Sequence, residues 1–326
     1  GGTESDNLAV KGLFWSRFGG DAQRRKVLVS AVEHHAVLDP AIWLAEHEGA
    51  ELVVLPVDGT GRLAPETLRE SLEANRGEVA VVSVMWANNE VGTVEPIAEL
   101  AAVAAEYGVP LHSDAVQAVG ALEVDFAASG AAALTVTGHK VGGPVGVGAL
   151  LLGRDVDSVP LLHGGGQERD VRSGTLDVAG VAAFAVAVEL AAKEQAVRAE
   201  RLRDMRDELV RRLVREVPDA QLNGDPSLSP ERRLPGNAHF SFPDCDGDAL
   251  LMLLDAHGVE CSTGSACSAG VARPSHVLLA MGHEEDRAKS SLRFTLGHSS
   301  TGADVDALID AIGPAVTRAR SARRSA

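Results

Sequence analysis

The residues Thr137, Gly138, His139 and Lys140 place a lysine between a β-branched run and two further glycines. In an open α/β sheet, ligands bind beyond the carboxyl ends of the strands, so an amine at this position can meet a ligand. Taken alone, the tetrapeptide is more typical of a surface turn. A functional interpretation therefore needs partners: a carboxylate to balance a ring cation, donors for a phosphate, and side chains that bond to a ring.

Asp114 is the candidate carboxylate. It follows the apolar run at 109–113, and Gln117 comes three residues later, so both side chains leave the same strand end. An aspartate in this position can keep a pyridine nitrogen protonated, as it does in enzymes that use pyridoxal 5'-phosphate (PLP). A helix N-cap is an alternative that fits the local sequence equally well.

The first seven residues, Gly-Gly-Thr-Glu-Ser-Asp-Asn, precede a helical pattern that begins near Leu8. Gly2 and Thr3 at a helix start leave backbone N–H groups free, and such groups bind phosphate. A plain N-cap is the simpler interpretation of this stretch alone. A dinucleotide site is disfavoured because no Gly-x-Gly-x-x-Gly motif follows a strand.

Cys267 lies among small residues, in the stretch Gly-Ser-Ala-Cys-Ser-Ala-Gly. These neighbours predict an exposed loop, whereas Cys261 ends a predicted short strand and is expected to pack in the core. A thiol on such a loop can approach a substrate. Metal ligation by the two cysteines is disfavoured because five intervening residues match no zinc spacing.

Three further polar side chains follow or occupy predicted strands. His34 could stack on a ring or move protons, Asn89 could donate to a ring or carboxylate oxygen, and Arg293 could bind a carboxylate through two hydrogen bonds. Each one alone is more often a packed or capping residue. Together with a lysine, an aspartate and a cysteine, they indicate one site.

The elements that must position these side chains follow a βαβ pattern. Apolar runs at 26–32, 51–56, 79–86, 110–112, 133–136 and 148–152 alternate with helical patterns at 40–47, 65–74 and 96–107. This alternation predicts an α/β fold with a mainly parallel sheet that is covered on both faces.

The second half of the chain has a different pattern. Residues 178–217 predict one long helix or two helices with a kink, and the proline-rich stretch 223–236 predicts a loop between domains. Beyond it, strands are predicted at 238–241, 259–261 and 291–296, and helices at 248–257, 274–281 and 303–319. We expect a smaller α+β layer there.

Composition argues against several classes of protein. The 326 residues carry 46 acidic and 30 basic side chains, and this net charge of −16 disfavours a binder of nucleic acids or anionic membranes. No apolar run reaches the roughly 18 residues that a membrane span needs. Three cysteines are too few for a disulfide framework, which favours a cytoplasmic protein.

In this order, the motifs resemble those of the cysteine desulfurases of the NifS/IscS-like group, which are PLP-dependent enzymes of the class V aminotransferase family with fold type I. The matching stretches span residues 1–297 and include Gly-Gly-Thr-Glu-Ser-Asp-Asn, Glu-His-His-Ala-Val, Asn-Asn-Glu-Val-Gly, Ser-Asp-Ala-Val-Gln, Gly-His-Lys, Arg-Ser-Gly-Thr and Gly-Ser-Ala-Cys-Ser. The resemblance implies a PLP-binding large domain over 1–222 and a small C-terminal domain over 223–326 that carries the cysteine loop.

The resemblance also implies a role for each candidate residue. The cofactor-binding residues would be Gly2, Thr3, His34, Asn89, Asp114, Gln117, Thr137, His139, Lys140 and Thr175. Lys140 would attach the cofactor, Asp114 would pair with its ring nitrogen, and Thr175 would come from the second subunit of a homodimer. Many relatives have serine where this chain has Thr137, and the hydroxyl is retained.

Catalysis would then depend on Lys140, Cys267 and His34, and substrate binding on Asn89 and Arg293. The implied reaction removes sulfur from L-cysteine, gives L-alanine and leaves a persulfide on Cys267 for iron–sulfur cluster assembly or thiolation. The sulfur would pass to an acceptor protein such as an iron–sulfur scaffold.

Other interpretations stay open. Members of the group carry a further segment before the Gly1-Gly2 motif, so the chain is expected to be N-terminally truncated, and an inactive fragment is one alternative. A selenocysteine lyase or another class V PLP enzyme would share Lys140 and Asp114. The stretch around Cys267 favours a desulfurase over both.

Overall fold

The apolar runs of the first half form one six-stranded sheet. Its strands are β1 (Lys26–Ser30), β2 (Glu51–Leu55), β3 (Val79–Ser83), β4 (Leu111–Asp114), β5 (Ala133–Thr137) and β6 (Gly148–Leu152), in the spatial order β2-β1-β3-β4-β5-β6. Neighbouring strands are parallel except for β6, which runs antiparallel to β5. The prediction of a mainly parallel sheet is therefore confirmed. The structure, a computed structural model, describes residues 1–263 and 274–325.

Helices cover both faces of this sheet. They are α1 (Gly2–Gly20), α2 (His35–His47), α3 (Pro65–Ala74), α4 (Ile97–Glu106) and the short α5 (Phe126–Ser129), and they are followed by the long α6 (Val178–Glu216). Strand β1 shows how the two faces are filled: Val27 and Val29 belong to the core with α1 and α2, whereas Leu28 belongs to the core with α3 and α4. Burial on both faces explains why every residue of β3 is buried.

A second, antiparallel sheet forms after α6. Its strands are β7 (Gln221–Asn223), β8 (Asn237–Ser241) and β9 (Ser291–Thr295), in that spatial order, and the surrounding helices are α7 (Gly247–Asp255), α8 (His276–Ala280), α9 (Glu285–Lys289) and α10 (Gly302–Ser325). Phe240 and Phe294 pack on the apolar side of this sheet. Because side chains alternate along a strand, His239 and Arg293 lie on the opposite, polar side.

Internal contacts divide the chain into two units. The N-terminal unit contains Gly1–Val57, Leu63–Ala87 and Glu95–Gln195, and the C-terminal unit contains Asp58–Arg62, Asn88–Val94 and Ala196–Ala326. The division therefore falls within α6 and differs from the predicted boundary at 222/223. The reason is that Leu209 and Leu213, in the second half of α6, belong to the hydrophobic core of the C-terminal unit.

Two local predictions for the C-terminal unit are wrong. Residues 259–261 form no strand, and the only pairing seen there in the described residues is the bridge between Ser262 and Arg293. Asn223 belongs to β7 instead of beginning a loop, because it pairs with His239 of β8. The helix over 178–217 is one continuous element. Within residues 1–263 and 274–325, no helix combines the length and apolar character that a membrane span requires.

Candidate active site

The start of α1 and the end of β5 form a cluster of hydrogen-bond donors. The backbone N–H of Gly2 donates to Thr137 Oγ1 over 3.3 Å, and Thr137 Oγ1 lies 3.2 Å from His139 Nδ1. The N-cap residue Gly1 has no side chain to cap α1, so among the described residues the N–H groups that follow Gly2 in the first turn remain available for an anion, and the helix dipole favours negative charge there. The predicted phosphate-binding residues Gly2, Thr137 and His139 are thus brought together.

Gly2 has little space around it. A Cβ atom added at this position would lie 3.2 Å from Val116 Cγ2 and 3.5 Å from Thr137 Cβ. His139 is exposed, and partial desolvation together with the positive charge of Lys140 lowers its pKa, so the ring is neutral at neutral pH. A neutral ring can still donate one hydrogen bond to a phosphate oxygen.

Asp114 is the last residue of β4 and is 6% exposed. Its Oδ1 accepts a hydrogen bond from the Val116 N–H over 2.9 Å. Burial raises the pKa of Asp114 to about 6, although the nearby charge of Lys140 lowers it. At neutral pH the carboxylate is therefore ionised at an energetic cost, and a cation bound against it would remove much of that cost.

These two clusters fit PLP. Its phosphate matches the remaining N–H groups in the first turn of α1 and the His139 ring beside Thr137, and its protonated ring nitrogen matches the buried Asp114 carboxylate. Lys140 ends the 3-10 turn Gly138–Lys140 directly after β5, and its side chain is exposed. An exposed amine beside both clusters is suited to covalent attachment of the cofactor.

A second layer of buried polar groups lies behind Asp114. Asp6 of α1 is 1% exposed, and its Oδ1 is 3.7 Å from Nε2 of the fully buried His112. The same Nε2 lies 3.0 Å from Thr135 Oγ1, and Ser83 Oγ lies 2.8 Å from His112 Nδ1. Burial and the charge of Asp114 raise the pKa of Asp6 well above its usual value, and burial lowers the pKa of His112 to about 3. Asp6 therefore holds its proton more strongly than an exposed aspartate does, and His112 is neutral at neutral pH.

Glu33 and His34 occupy the turn between β1 and α2. Glu33 is fully buried, its Oε1 accepts from the Met85 N–H over 2.7 Å, and burial raises its pKa well above the usual value. His34 is the N-cap of α2, and its Nδ1 accepts from the Ala36 N–H over 3.0 Å. This bond leaves Nδ1 without a proton and fixes the orientation of the half-buried ring. The capping interpretation of His34 is confirmed, and its role against a ring stays a prediction.

For three further predicted residues, the structure shows the place in the fold and the degree of exposure. Thr3 is exposed in the first turn of α1, Gln117 is half-buried just beyond β4, and Thr175 is exposed just before α6. In the part of the chain that the structure describes, no hydrogen bond joins Thr175 to the cluster at Thr137. The role of Thr175 toward a second copy stays a prediction.

Asn89 and Arg293 lie together in the C-terminal unit. Arg293 Nη1 donates to the main-chain oxygen of Asn89 over 2.8 Å, and Arg293 Nε is buried without a hydrogen-bond partner among the described residues. The main chain of Arg293 also pairs with Ser262 through bonds of 2.7 and 3.1 Å. The guanidinium is therefore held at one end and has donors left for a carboxylate.

Cys267 lies outside the described residues. The two described cysteines are poor nucleophiles, because burial raises the pKa of Cys261 to about 11 and also raises that of Cys245. Cys261 is half-buried against the core of the C-terminal unit, so the expected packing is confirmed although the strand around it is not.

No role for Asp6, Glu33 or Glu90 follows from the sequence alone. All three stand within the motifs quoted above, and all are less than a tenth exposed in the structure. Carboxylates are almost never fully buried without a partner, so burial itself marks them. In the sequence, each of them is visible only as a charged residue among uncharged ones. That pattern does not tell whether the side chain is buried or exposed.

Comparisons with known proteins agree with this geometry. The sequence profile described as "Aminotransferase class-V" matches residues 1–308. The chain belongs to the class V aminotransferase family. Within this family it is 58% identical to the IscS-like cysteine desulfurase of Mycobacterium tuberculosis, over all of this chain and 82% of that protein. It is 42% identical to the cysteine desulfurase IscS of Dictyoglomus turgidum, over 98% of this chain and 79% of that protein.

Solved structures of the family share the fold. A NifS-like protein with 30% sequence identity superposes with a TM-score of 0.85 over 97% of this chain and 81% of its own. The predicted membership of the NifS/IscS-like group and the fold type I architecture are both confirmed. Enzymes of this group depend on PLP, and PLP is the cofactor that the two clusters of the N-terminal unit fit.

Proposed function

We propose that this class V family member is a PLP-dependent cysteine desulfurase, which converts L-cysteine to L-alanine and holds the released sulfur as a persulfide on Cys267. The observation that carries the proposal is the buried Asp114 carboxylate, with Lys140 near it and an uncapped helix start beside Thr137. The names of the most similar relatives support the same substrate.

Each residue of the N-terminal unit has a defined task. Gly2, Thr137 and His139 would bind the phosphate, Asp114 would hold the ring nitrogen protonated, and Lys140 would attach the cofactor. Bound PLP supplies an electron sink that stabilises negative charge on the α-carbon of the substrate. The Lys140 amine, once free, removes the proton from that α-carbon.

The remaining binding roles extend this set. Thr3 would add donors to the phosphate site, and His34 and Gln117 would contact the ring system. His34 keeps a proton only on Nε2, because Nδ1 is occupied as an acceptor, so the ring presents one donor away from α2. Asn89 and Arg293 would bind ring or substrate oxygens, and Arg293 would take the substrate carboxylate.

Sulfur transfer uses Cys267 as the nucleophile. Its thiolate attacks Sγ of the substrate cysteine, so a new S–S bond forms while the substrate Cβ–Sγ bond breaks. The electron pair of the broken bond remains on the carbon skeleton, which takes up protons to become alanine. The enzyme is left with a Cys267 persulfide that a second protein with an accepting thiol or a cluster-assembly site can receive.

The proposed assembly is a homodimer in the cytoplasm, in which Thr175 reaches the phosphate site of the partner subunit. Val178, Val181 and Val186 in the first half of α6 are 75%, 49% and 56% exposed, and Leu176 beside Thr175 is 40% exposed. A run of exposed apolar side chains next to Thr175 supports contact with a second copy. Sedimentation of wild-type protein and of Val178→Glu tests this, and a monomer in both cases would contradict it.

The deciding experiment follows cofactor and products in one tube. Purified protein is incubated with PLP, its visible spectrum is recorded before and after L-cysteine is added, and alanine and sulfide are measured. We expect a yellow band that changes with cysteine, and one alanine for each sulfur released. A bound cofactor without alanine formation would contradict the desulfurase proposal and leave the cofactor assignment intact.

A further inference from the structure

Asp6 is a buried carboxyl on the side of α1 that faces the sheet. Asp6, Val10 and Leu13 follow one another at helical spacing, so they share one face of α1. Val10 and Leu13 belong to the hydrophobic core beneath the helix, whereas Asp6 brings a polar group to the same face and is 1% exposed. Burying a carboxyl costs free energy that an apolar side chain would not cost. Packing alone therefore does not explain an aspartate at this position.

The groups that meet Asp6 belong to the strand that carries Asp114 and to its neighbour. Leu111 faces the core with α3 and α4, so the alternation along β4 directs His112 and Asp114 toward α1. Asp114 stands opposite Thr135 of β5, and Thr135 Oγ1 lies 3.0 Å from His112 Nε2. Asp6 Oδ1 is 3.7 Å from the same Nε2. Burial raises the pKa of Asp6, and a hydrogen bond with the Thr135 side chain partly opposes this rise.

The row that Asp6 meets is fixed within the sheet. Ser83 and His112 stand opposite each other on β3 and β4, and Ser83 Oγ lies 2.8 Å from His112 Nδ1. Ser83, His112 and Thr135 are each 0% exposed. Because each ring nitrogen of His112 has a hydroxyl within hydrogen-bond distance, the ring is held in one orientation. Asp6 therefore contacts a rigid polar row that crosses three strands.

The same helical turn carries part of the phosphate site. Gly2 lies four residues before Asp6, and its N–H donates to Thr137 Oγ1 over 3.3 Å. A Cβ atom at Gly2 would lie 3.2 Å from Val116 Cγ2, and the Val116 N–H donates to Asp114. The first turn of α1 thus lies between the phosphate site and Asp114. Asp6 is the polar contact that holds this turn on the sheet.

We propose that Asp6 is a positioning residue for PLP, which fixes the first turn of α1 on β4 and β5 and so sets the separation between the phosphate site and Asp114. PLP carries its phosphate on a short arm of the ring that contains the nitrogen. Both sites must therefore stand at one separation to hold the two groups together. The proposal rests on the proposed function, because the two sites take their roles from it.

The test compares PLP with two smaller ligands that each fill one of the sites. Pyridoxal lacks the phosphate, and inorganic phosphate lacks the ring. Visible titration of the cofactor-free protein gives the apparent Kd for PLP and for pyridoxal, and competition against PLP gives that for phosphate. In Asp6→Ala, we expect the Kd for PLP to rise about tenfold, as loss of a buried hydrogen bond predicts. The other two values should stay within about twofold, since neither ligand bridges both sites.

Three further variants separate positioning from general stability. Thr135→Val removes the hydroxyl between Asp6 and His112 and should weaken PLP binding to a similar extent, and the double variant should bind no more weakly than the weaker single one. Asp6→Asn keeps a hydrogen-bonding group and should restore most of the affinity. Asp125→Ala removes the N-cap of α5, whose Oδ1 accepts from the Ala128 N–H over 2.9 Å in the same unit. This control should lower the thermal midpoint and leave the Kd for PLP unchanged.

Two results would overturn the proposal. The first is an unchanged Kd for PLP in both Asp6→Ala and Thr135→Val. The second is a loss of affinity for phosphate or for pyridoxal that equals the loss for PLP, because this would show damage within one site and not a changed separation.

Hydrogen exchange of the cofactor-free protein keeps this test separate from that of the proposed function. Amides of residues 6–10 should exchange at least about tenfold faster in Asp6→Ala than in wild type, because the turn is held less firmly on the sheet. Equal protection in the two proteins would overturn the role of Asp6, whatever the activity of wild type. Since no step of this test requires turnover, a wild-type protein that forms no alanine would contradict the proposed function alone.

Discussion

Replacing Asp114 by Asn turns a buried carboxylate into an uncharged group of nearly the same shape. Burial raises the pKa of Asp114 from the usual 3.8 to about 6 in the folded protein. At roughly 1.4 kcal/mol for each pKa unit, ionising this group at pH 8 costs the folded state about 3 kcal/mol. Because the folded protein holds this proton more tightly than the unfolded chain does, wild-type stability falls as the pH rises from about 4 to about 6.

The stability of the cofactor-free Asp114→Asn variant should not decrease in this way, because its side chain does not ionise. Its side-chain oxygen can still accept from the Val116 N–H, so its free energy of unfolding at pH 8 should exceed that of wild type by up to about 3 kcal/mol. About 2 kcal/mol of this difference should develop between pH 4.5 and pH 8. The charge of Asp114 also raises the pKa values of Asp6 and Glu33, so its removal eases their ionisation and acts in the same direction.

Urea unfolding of both proteins at several pH values measures this difference. Asp155→Asn, which alters an exposed carboxylate, is the matched control and should follow wild type at every pH. PLP should reverse the order, since wild type gains a cationic partner for Asp114 and the variant does not. A cofactor-free Asp114→Asn protein that is no more stable than wild type at pH 8 would refute the reasoning about burial.

Three further substitutions test single roles. Lys140→Ala should abolish the visible band of attached PLP, and an unchanged spectrum would remove this lysine from the mechanism. Cys267→Ala should keep the band and its response to cysteine, but alanine formation should stop; normal turnover would transfer the nucleophile's role elsewhere. Arg293→Lys should raise KM for cysteine about tenfold, since a lysine cannot form paired hydrogen bonds to a carboxylate, while PLP affinity measured by fluorescence titration stays constant.

The sheet of the N-terminal unit could be predicted because its central strands are buried on both faces, and the β-branched runs of β1 and β3 are the clearest signal. This pattern placed Asp114 and Lys140 at strand ends, and the structure confirms both positions. Strand β7 could not be predicted from its three residues, since so short a run shows no periodicity and is followed by prolines. It forms because Leu222 and Asn223 pair with β8, a contact between distant parts of the chain.

The layer behind the site escaped prediction for a related reason. Asp6 looks like a helix residue in a polar first turn, and only the fold brings it against His112 and the face of β4. The buried Glu90 accepts a hydrogen bond from Ser275, which is 185 positions away in the sequence. Local sequence patterns identify reactive residues in unusual surroundings, such as a lysine or a cysteine among glycines. They do not identify buried carboxylates whose partners are distant in the sequence.

The buried guanidinium of Arg233 limits how this chain can be divided. Its donors reach the main-chain oxygens of Asn223, Asp225 and Val91, at 2.5, 3.0 and 2.9 Å, and the pKa of about 10 keeps it charged at neutral pH. Val91 comes from an excursion of the first half of the chain into the C-terminal unit. A protein fragment of residues 196–326 would contain Arg233 but not Val91. The buried guanidinium would then lack one of its three hydrogen-bond acceptors. Recombination at α6 would therefore separate this unit from a segment, Asn88–Val94, that helps to build it.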